Sequence, residues 1–149
     1  MGIKIIAKNK RAGYDYFLDE KYEAGVMLQG TEVKTLRLGK VSLGESYITI
    51  DKNMEAWAYN ITIPHYEFGN IHNHDETRKR KLLLNKHEIE KMYHEMKAAR
   101  KTIIATKIYF KDSIVKLEIA LARGKKNHDK RDVQAQKDVD RKLQQRDYS

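Results

Sequence analysis

Apolar and polar residues alternate with a period of two along much of this chain, the spacing of a strand with one buried face. Residues 3 to 29 read as strands. Tyr14 to Leu18 is short and aromatic. Tyr22, Ala24, Val26 and Leu28 fall on one face, and Glu23, Gly25 and Met27 on the other. Lys8-Asn-Lys-Arg11 forms a basic turn that ends at Gly13. Farther on, Ser46 to Ile50 and Glu55 to Ile63 make a hairpin around Asp51 to Asn53. In its second arm Trp57, Tyr59, Ile61 and Ile63 share one parity, and Ala58, Asn60 and Thr62 the other, until Pro64 stops the strand. A second hairpin runs from Thr102 to Phe110, turns at Lys111 to Ser113 and returns from Ile114 to Ala122. Val115, Leu117, Ile119 and Leu121 point to the core, which leaves Lys116 and Glu118 on the opposite face.

Two stretches carry helical spacing instead. Gly30 to Gly39 holds Val33 and Leu36 on one side and Lys34 and Arg37 on another, with Thr31 as its cap and Gly39 as its left-handed end. Asn85-Lys-His-Glu88 is a capping-box pattern. It opens a helix to about Arg100 whose stripe is Ile89, Met92, Tyr93, Met96 and Ala99. About six strands with two helices predict a mainly β fold with flanking helices: a small antiparallel, oligonucleotide-binding (OB)-like β-barrel over residues 1–123. Residues 124–149 have almost nothing to bury beyond a thin stripe of Ala135, Val139 and Leu143. That stretch reads as a basic tail, disordered alone and helical when bound.

Charge narrows the class of partner. The formal net charge is +9 and the pI about 9.6, which points to a polyanion, either nucleic acid or an anionic membrane surface. No apolar run approaches the ~18 residues of a spanning helix. The N-terminus has no signal-peptide shape, and there is no cysteine for a disulfide or thiolate metal site. The expected compartment is the cytoplasm. Arg78-Lys-Arg-Lys81 is four consecutive cations, a solvated face or a phosphate contact. His72, His74 and Asp75, with Glu67 and Glu76 nearby, raise a metal-assisted nuclease as one reading; a metal needs three or four convergent ligands, and a solvated polar loop accounts for them more simply. With no Gly-rich phosphate loop, nucleophile elbow or HExxH pattern, the expectation is a protein without enzymatic activity, cofactor or metal. A general basic RNA-binding module, acting in ribosome assembly or as an RNA chaperone, is the alternative reading.

Taken in order, several stretches identify a relative. They are Asn9-Lys-Arg-Ala12, Glu23 through Arg37, Ser46-Tyr-Ile48, Thr77-Arg-Lys-Arg-Lys-Leu-Leu-Leu84, Lys107-Ile-Tyr-Phe-Lys111 and Val115-Lys116 through Arg131. Together they make the sequence similar to the SsrA-binding protein (SmpB) family of bacterial trans-translation. The resemblance implies an OB-type barrel that binds the tRNA-like domain of transfer-messenger RNA. It further implies delivery of that RNA, with elongation factor Tu and GTP, to stalled ribosomes, by a monomer with no membrane partner. The residues implied in gripping the RNA are Asn9, Glu23, Leu83 and Lys116, with phosphate contacts expected from Lys8, Lys10, Arg11, Lys34, Arg37, Arg78 and Arg80. In the segment Gly124-Lys125-Lys126-Asn-His128-Asp129-Lys130-Arg131, the resemblance puts His128 where a ring stacks on a small-subunit rRNA base at the decoding centre, beside Asp129, Lys130 and Arg131. The tail beyond would probe the empty messenger channel. The far tail departs from the family, being diluted by five Asp from residue 129 onward.

Overall fold

The computed structural model describes residues 2–69 and 73–124. Its elements are β1 (Ile3–Lys8), α1 (Ala12–Asp15), β2 (Tyr16–Val26), α2 (Gly30–Arg37), β3 (Tyr47–Ile50), β4 (Ala56–Tyr59), β5 (Arg80–Leu83), α3 (Lys86–Ala99), β6 (Thr102–Lys111) and β7 (Ile114–Gly124). Every strand pairing is antiparallel. β6 pairs with β3, β3 with β4, β4 with β5, β5 with β2, β2 with β7, and β7 again with β6. The hydrogen-bonded order thus returns to its start, and closure leaves these strands no long open edge. β1 adds to β6 from outside the ring, opposite Lys107 to Lys111.

Alternation fills the interior. Val115, Leu117, Ile119 and Leu121 meet Ile103, Ile108, Ile48, Ala58 and Leu82 in one buried cluster, as the period-two spacing requires. The β6–β7 turn has two residues, Asp112 and Ser113, with φ of 51° and 71°. Left-handed conformation at both positions matches the right-handed twist of a tight hairpin. α3 begins where expected, with the Asn85 N–H donating to Glu88 Oε1 at 3.2 Å, and Ile89 and Met92 are buried. On the outer surface Ala12 of α1 packs with Ile104 and Ala122 in a second, smaller cluster.

Four expectations are corrected. Tyr14 and Asp15 belong to the short helix α1, and the strand begins only at Tyr16. The parity of the β4 arm changes at Asn60, whose φ is 61°: Ala56 and Ala58 are buried ahead of it, Ile61 and Ile63 behind it, so Trp57 and Tyr59 lie on the outer face. α2 is capped by Glu32, whose Oε1 accepts the Gln29 N–H at 2.8 Å, while Thr31 sits inside the helix.

The fourth concerns the basic run. Arg80 is fully buried, not a phosphate contact. Its Nε donates to Glu32 Oε2 at 2.5 Å, and its other nitrogens donate to the carbonyls of Ile61 (2.6 Å) and Glu76 (3.1 Å). Arg78 donates to Glu32 Oε1 (2.5 Å) and to the Met27 carbonyl (3.2 Å), so it too is held inward. Lys79 lies over the Trp57 ring at 4.6 Å, and Lys81 pairs with Glu55 at 3.6 Å. Arg78 and Arg80 thus pin α2 to the sheet through one buried carboxylate, while Lys79 and Lys81 keep to the surface.

Candidate nucleic-acid interface

Three strands bring the central residues together. Gly25 of β2 is the register partner of Leu83 on β5 and of Lys116 on β7. Partners across a sheet share a face, so Leu83, Gly25 and Lys116 form one outward row. Glu23 lies two residues along β2 on that face. An open hollow of about 340 Å³ is lined by Glu23, Gly25, Leu83 and Lys116, with Asn85 and Glu88 from the start of α3. Gly25 is small here for a reason: a Cβ would come within 3.2 Å of Leu83 Cβ. Its missing side chain makes the floor of the hollow. Leu83 is 53% exposed.

The electrostatics of the face start from a conflict. Glu23 and Glu118 are direct cross-strand partners, an arrangement that repels unless each carboxylate has other company. Glu23 Oε2 accepts from the Tyr109 hydroxyl at 2.5 Å, and Lys111 Nζ stands 3.3 Å from Oε1. Glu118 pairs with Lys107 at 3.6 Å and accepts from Thr106 Oγ1 at 3.0 Å. The Tyr109 hydrogen bond is the main cause that holds the Glu23 carboxyl below the usual range, outweighing its desolvation, with Lys111 and Lys116 adding to it. Burial and the same carboxylate push Tyr109 up, so its proton stays on the phenol. Glu23 is therefore a fixed, ionised acceptor with lone pairs to spare. Lys116 has no carboxylate within salt-bridge distance among the described residues. One anion, one free cation and one exposed apolar side chain can meet a base edge or sugar hydroxyl, a phosphate and a base or ribose face respectively.

The remaining expected residues divide. The Asn9 amide nitrogen donates to the Ala105 and Leu43 carbonyls (2.9 and 3.2 Å), and its oxygen accepts the Arg11 N–H. Asn9 thus fastens the chain where the edge of β6 passes from β3 to β1, and its side chain is occupied within the protein. Lys8 and Lys10 are exposed, and among the described residues the Arg11 side chain makes only a 3.7 Å ion pair with Asp15. Lys34 lies over the Tyr66 ring at 5.4 Å. Arg37 borders a separate hollow of about 500 Å³ with Lys4 and Phe110. His74 is buried, with its ring nitrogens against Thr31 Oγ1 and the Ile63 carbonyl, both at 2.8 Å. His72 and Lys125 to Arg131 lie outside the described residues; Gly124 ends β7, opposite Tyr16. Sequence reasoning missed Tyr109, Lys111 and Gly25. Tyr109 and Lys111 share the outward parity of Lys107, but only the β2–β7–β6 register places them beside Glu23.

The comparisons settle the relationship. The family model for SmpB protein matches residues 6–148. This chain belongs to the SmpB family. An SsrA-binding protein of Thermoanaerobacter pseudethanolicus is 51% identical over 142 residues, covering 95% of this chain and 90% of that protein. One from Bifidobacterium adolescentis is 54% identical over 130 residues, 87% of this chain and 82% of the other. A solved SmpB chain, from work on tmRNA–SmpB and its journey to the centre of the bacterial ribosome, aligns with a TM-score of 0.68 at 43% identity, over 81% of this chain and 85% of that one. The SmpB match therefore spans both the closed sheet and nearly all of the segment after Gly124.

Proposed function

We propose that this SmpB-family chain binds the tRNA-like domain of transfer-messenger RNA and delivers it to stalled ribosomes for trans-translation, without catalysing a reaction itself. The observation that carries the reading is the convergence of Glu23, Leu83 and Lys116, from three strands, on one open hollow. A purely electrostatic RNA binder needs cations alone; an ionised acceptor and an exposed leucine beside a single free lysine ask for a shaped RNA partner. The names of its relatives, SsrA-binding proteins, support the same partner. In this reading residues 1–123 grip the RNA as a monomer in the cytoplasm. The RNA complex engages elongation factor Tu with GTP. Residues 124–149 enter the vacant messenger channel, and His128, with Asp129, Lys130 and Arg131, meets rRNA at the decoding centre. The test is affinity for the tRNA-like domain against a tRNA of equal length at fixed salt, since phosphate contacts make both salt-dependent. The expected result is a clear preference for the tRNA-like domain. Equal affinity would return the protein to the class of general basic RNA-binding modules.

A further inference from the structure

The outer face of β3 and β4 carries aromatic side chains that the RNA grip does not use. Tyr47 and Tyr59 are direct cross-strand partners. Their ring centroids lie 5.3 Å apart with 7° between planes, a parallel stack set up by the register itself. The core is filled by the opposite parity, Ile48 and Ala58, so the two rings contribute little to it. Tyr47 is 39% exposed and borders an open hollow of about 380 Å³, whose wall does not include Tyr59. Tyr59 thus backs one face of the Tyr47 ring, and Tyr47, not Tyr59, borders the hollow. Arg11 and Asn60 also border this space. Among the described residues the Asn60 side-chain amide has no hydrogen-bond partner within the protein, and Arg11 has only its 3.7 Å contact with Asp15.

We propose that the Tyr47–Tyr59 stack is a second RNA site, which takes one unpaired base of a single strand. The base lies on the open face of Tyr47, the Asn60 amide reads its edge, and Arg11 meets the flanking phosphate. Stacking selects unpaired nucleotides because bases inside a duplex have no free face to offer. Asp15 and Glu45 border the same hollow and repel phosphate from its interior. A base enters, and its backbone stays at the rim beside Arg11. No residue is shared with the hollow of Glu23, Leu83 and Lys116, so both sites can be filled at once.

The test uses the full chain and a fluorescein-labelled hexaadenylate, read by anisotropy at about 0.3 M salt, where purely phosphate-driven binding is suppressed. Tyr47→Ala and Tyr47→Leu should each weaken binding roughly 5- to 150-fold, the loss of one stacked base. Tyr47→Phe keeps the ring face and should stay within about twofold of the parent, as should Lys116→Ala. The tRNA-like domain, titrated against the same proteins, should lose affinity with Lys116→Ala and not with Tyr47→Leu. Because that arm reads the other hollow separately, failure of one site does not count against the other. Wild-type binding of hexaadenylate by Tyr47→Leu, or an equal loss in Tyr47→Phe, would overturn the stacking site. So would an equal loss of the tRNA-like domain in Tyr47→Leu.

Discussion

Replacing Arg80 with methionine separates an RNA ligand from a structural cation. Arg80 is fully buried and makes three hydrogen bonds, one to Glu32 and two to backbone carbonyls. Methionine fills much of the volume and donates nothing. The Ile61 and Glu76 carbonyls lose a donor, and Glu32 keeps only Arg78 and the Gln29 N–H. Breaking one side of a buried ion pair costs roughly 3–5 kcal/mol. In a chain of this size that lowers Tm by about 6–20 °C. The pH dependence has a definite sign. Burial favours the neutral form of Glu32, but hydrogen bonds from Arg78, the Gln29 N–H and Arg80 together hold its carboxyl below the ordinary value. A depressed folded pKa gives stability that is present above the unfolded value of about 4.3 and lost as pH falls through the folded one. Arg80→Met lifts that folded pKa, so the deficit against wild type should be largest at neutral pH and shrink on acidification. Circular dichroism melts from pH 3 to 8 provide the readout, with RNA affinity taken at a temperature where each variant is folded. A Tm within about 2 °C of wild type together with tenfold weaker RNA binding would show that Arg80 contacts RNA.

The other predictions concern the outer face and the tail. Lys116→Ala should weaken binding of the tRNA-like domain and lower the slope of log affinity against log salt by about one, with Tm unchanged, because one phosphate contact is lost and nothing buried is disturbed. Tyr109→Phe removes the main donor to Glu23, so the Glu23 carboxyl should titrate closer to its ordinary value in carboxylate NMR; no movement would mean that Lys111 alone sets it. His128→Ala should leave affinity for the free RNA unchanged and reduce peptidyl transfer to it on stalled ribosomes. A large loss of RNA affinity instead would place His128 in the grip.

What could be read from the sequence follows from how local each signal is. The β6–β7 hairpin was legible because its period-two pattern is long and both faces are distinct. α3 was legible because Asn85 and Glu88 complete a box within four residues. Phase changes were not: Asn60 turns left-handed and reverses the parity of everything after it, and although Asn adopts this conformation more readily than most residues, a single Asn inside an alternating run is a weak signal. The basic run misled for a different reason. Four adjacent cations look solvated until a carboxylate from another element, Glu32 on α2, is known to lie under them. Of the proposed RNA site, Glu23 and Lys116 were placed outward by parity, while Leu83 and Tyr109 depend on which strands become neighbours.

The buried ion pair and the exposed leucine are one arrangement. A strand alternates faces at every residue, so fixing Arg80 inward also fixes Leu82 inward and sends Lys81 and Leu83 out. Hydrophobicity alone does not choose the phase, since either one buries one cation and one leucine of the strand. The Glu32 carboxylate makes the choice by giving the guanidinium a fully bonded interior position. A slip of one residue would turn Leu83 inward and present Leu82 beside Gly25, against a floor shaped by the 3.2 Å approach of Leu83. The anchor of α2 therefore holds the outward row of Leu83, Gly25 and Lys116 in register from the far side of the sheet. If this is so, Arg80→Met, whose apolar side chain keeps the inward phase, should retain wild-type affinity for the tRNA-like domain in its folded fraction. Arg80→Glu brings like charge to Glu32 and should lose both stability and affinity.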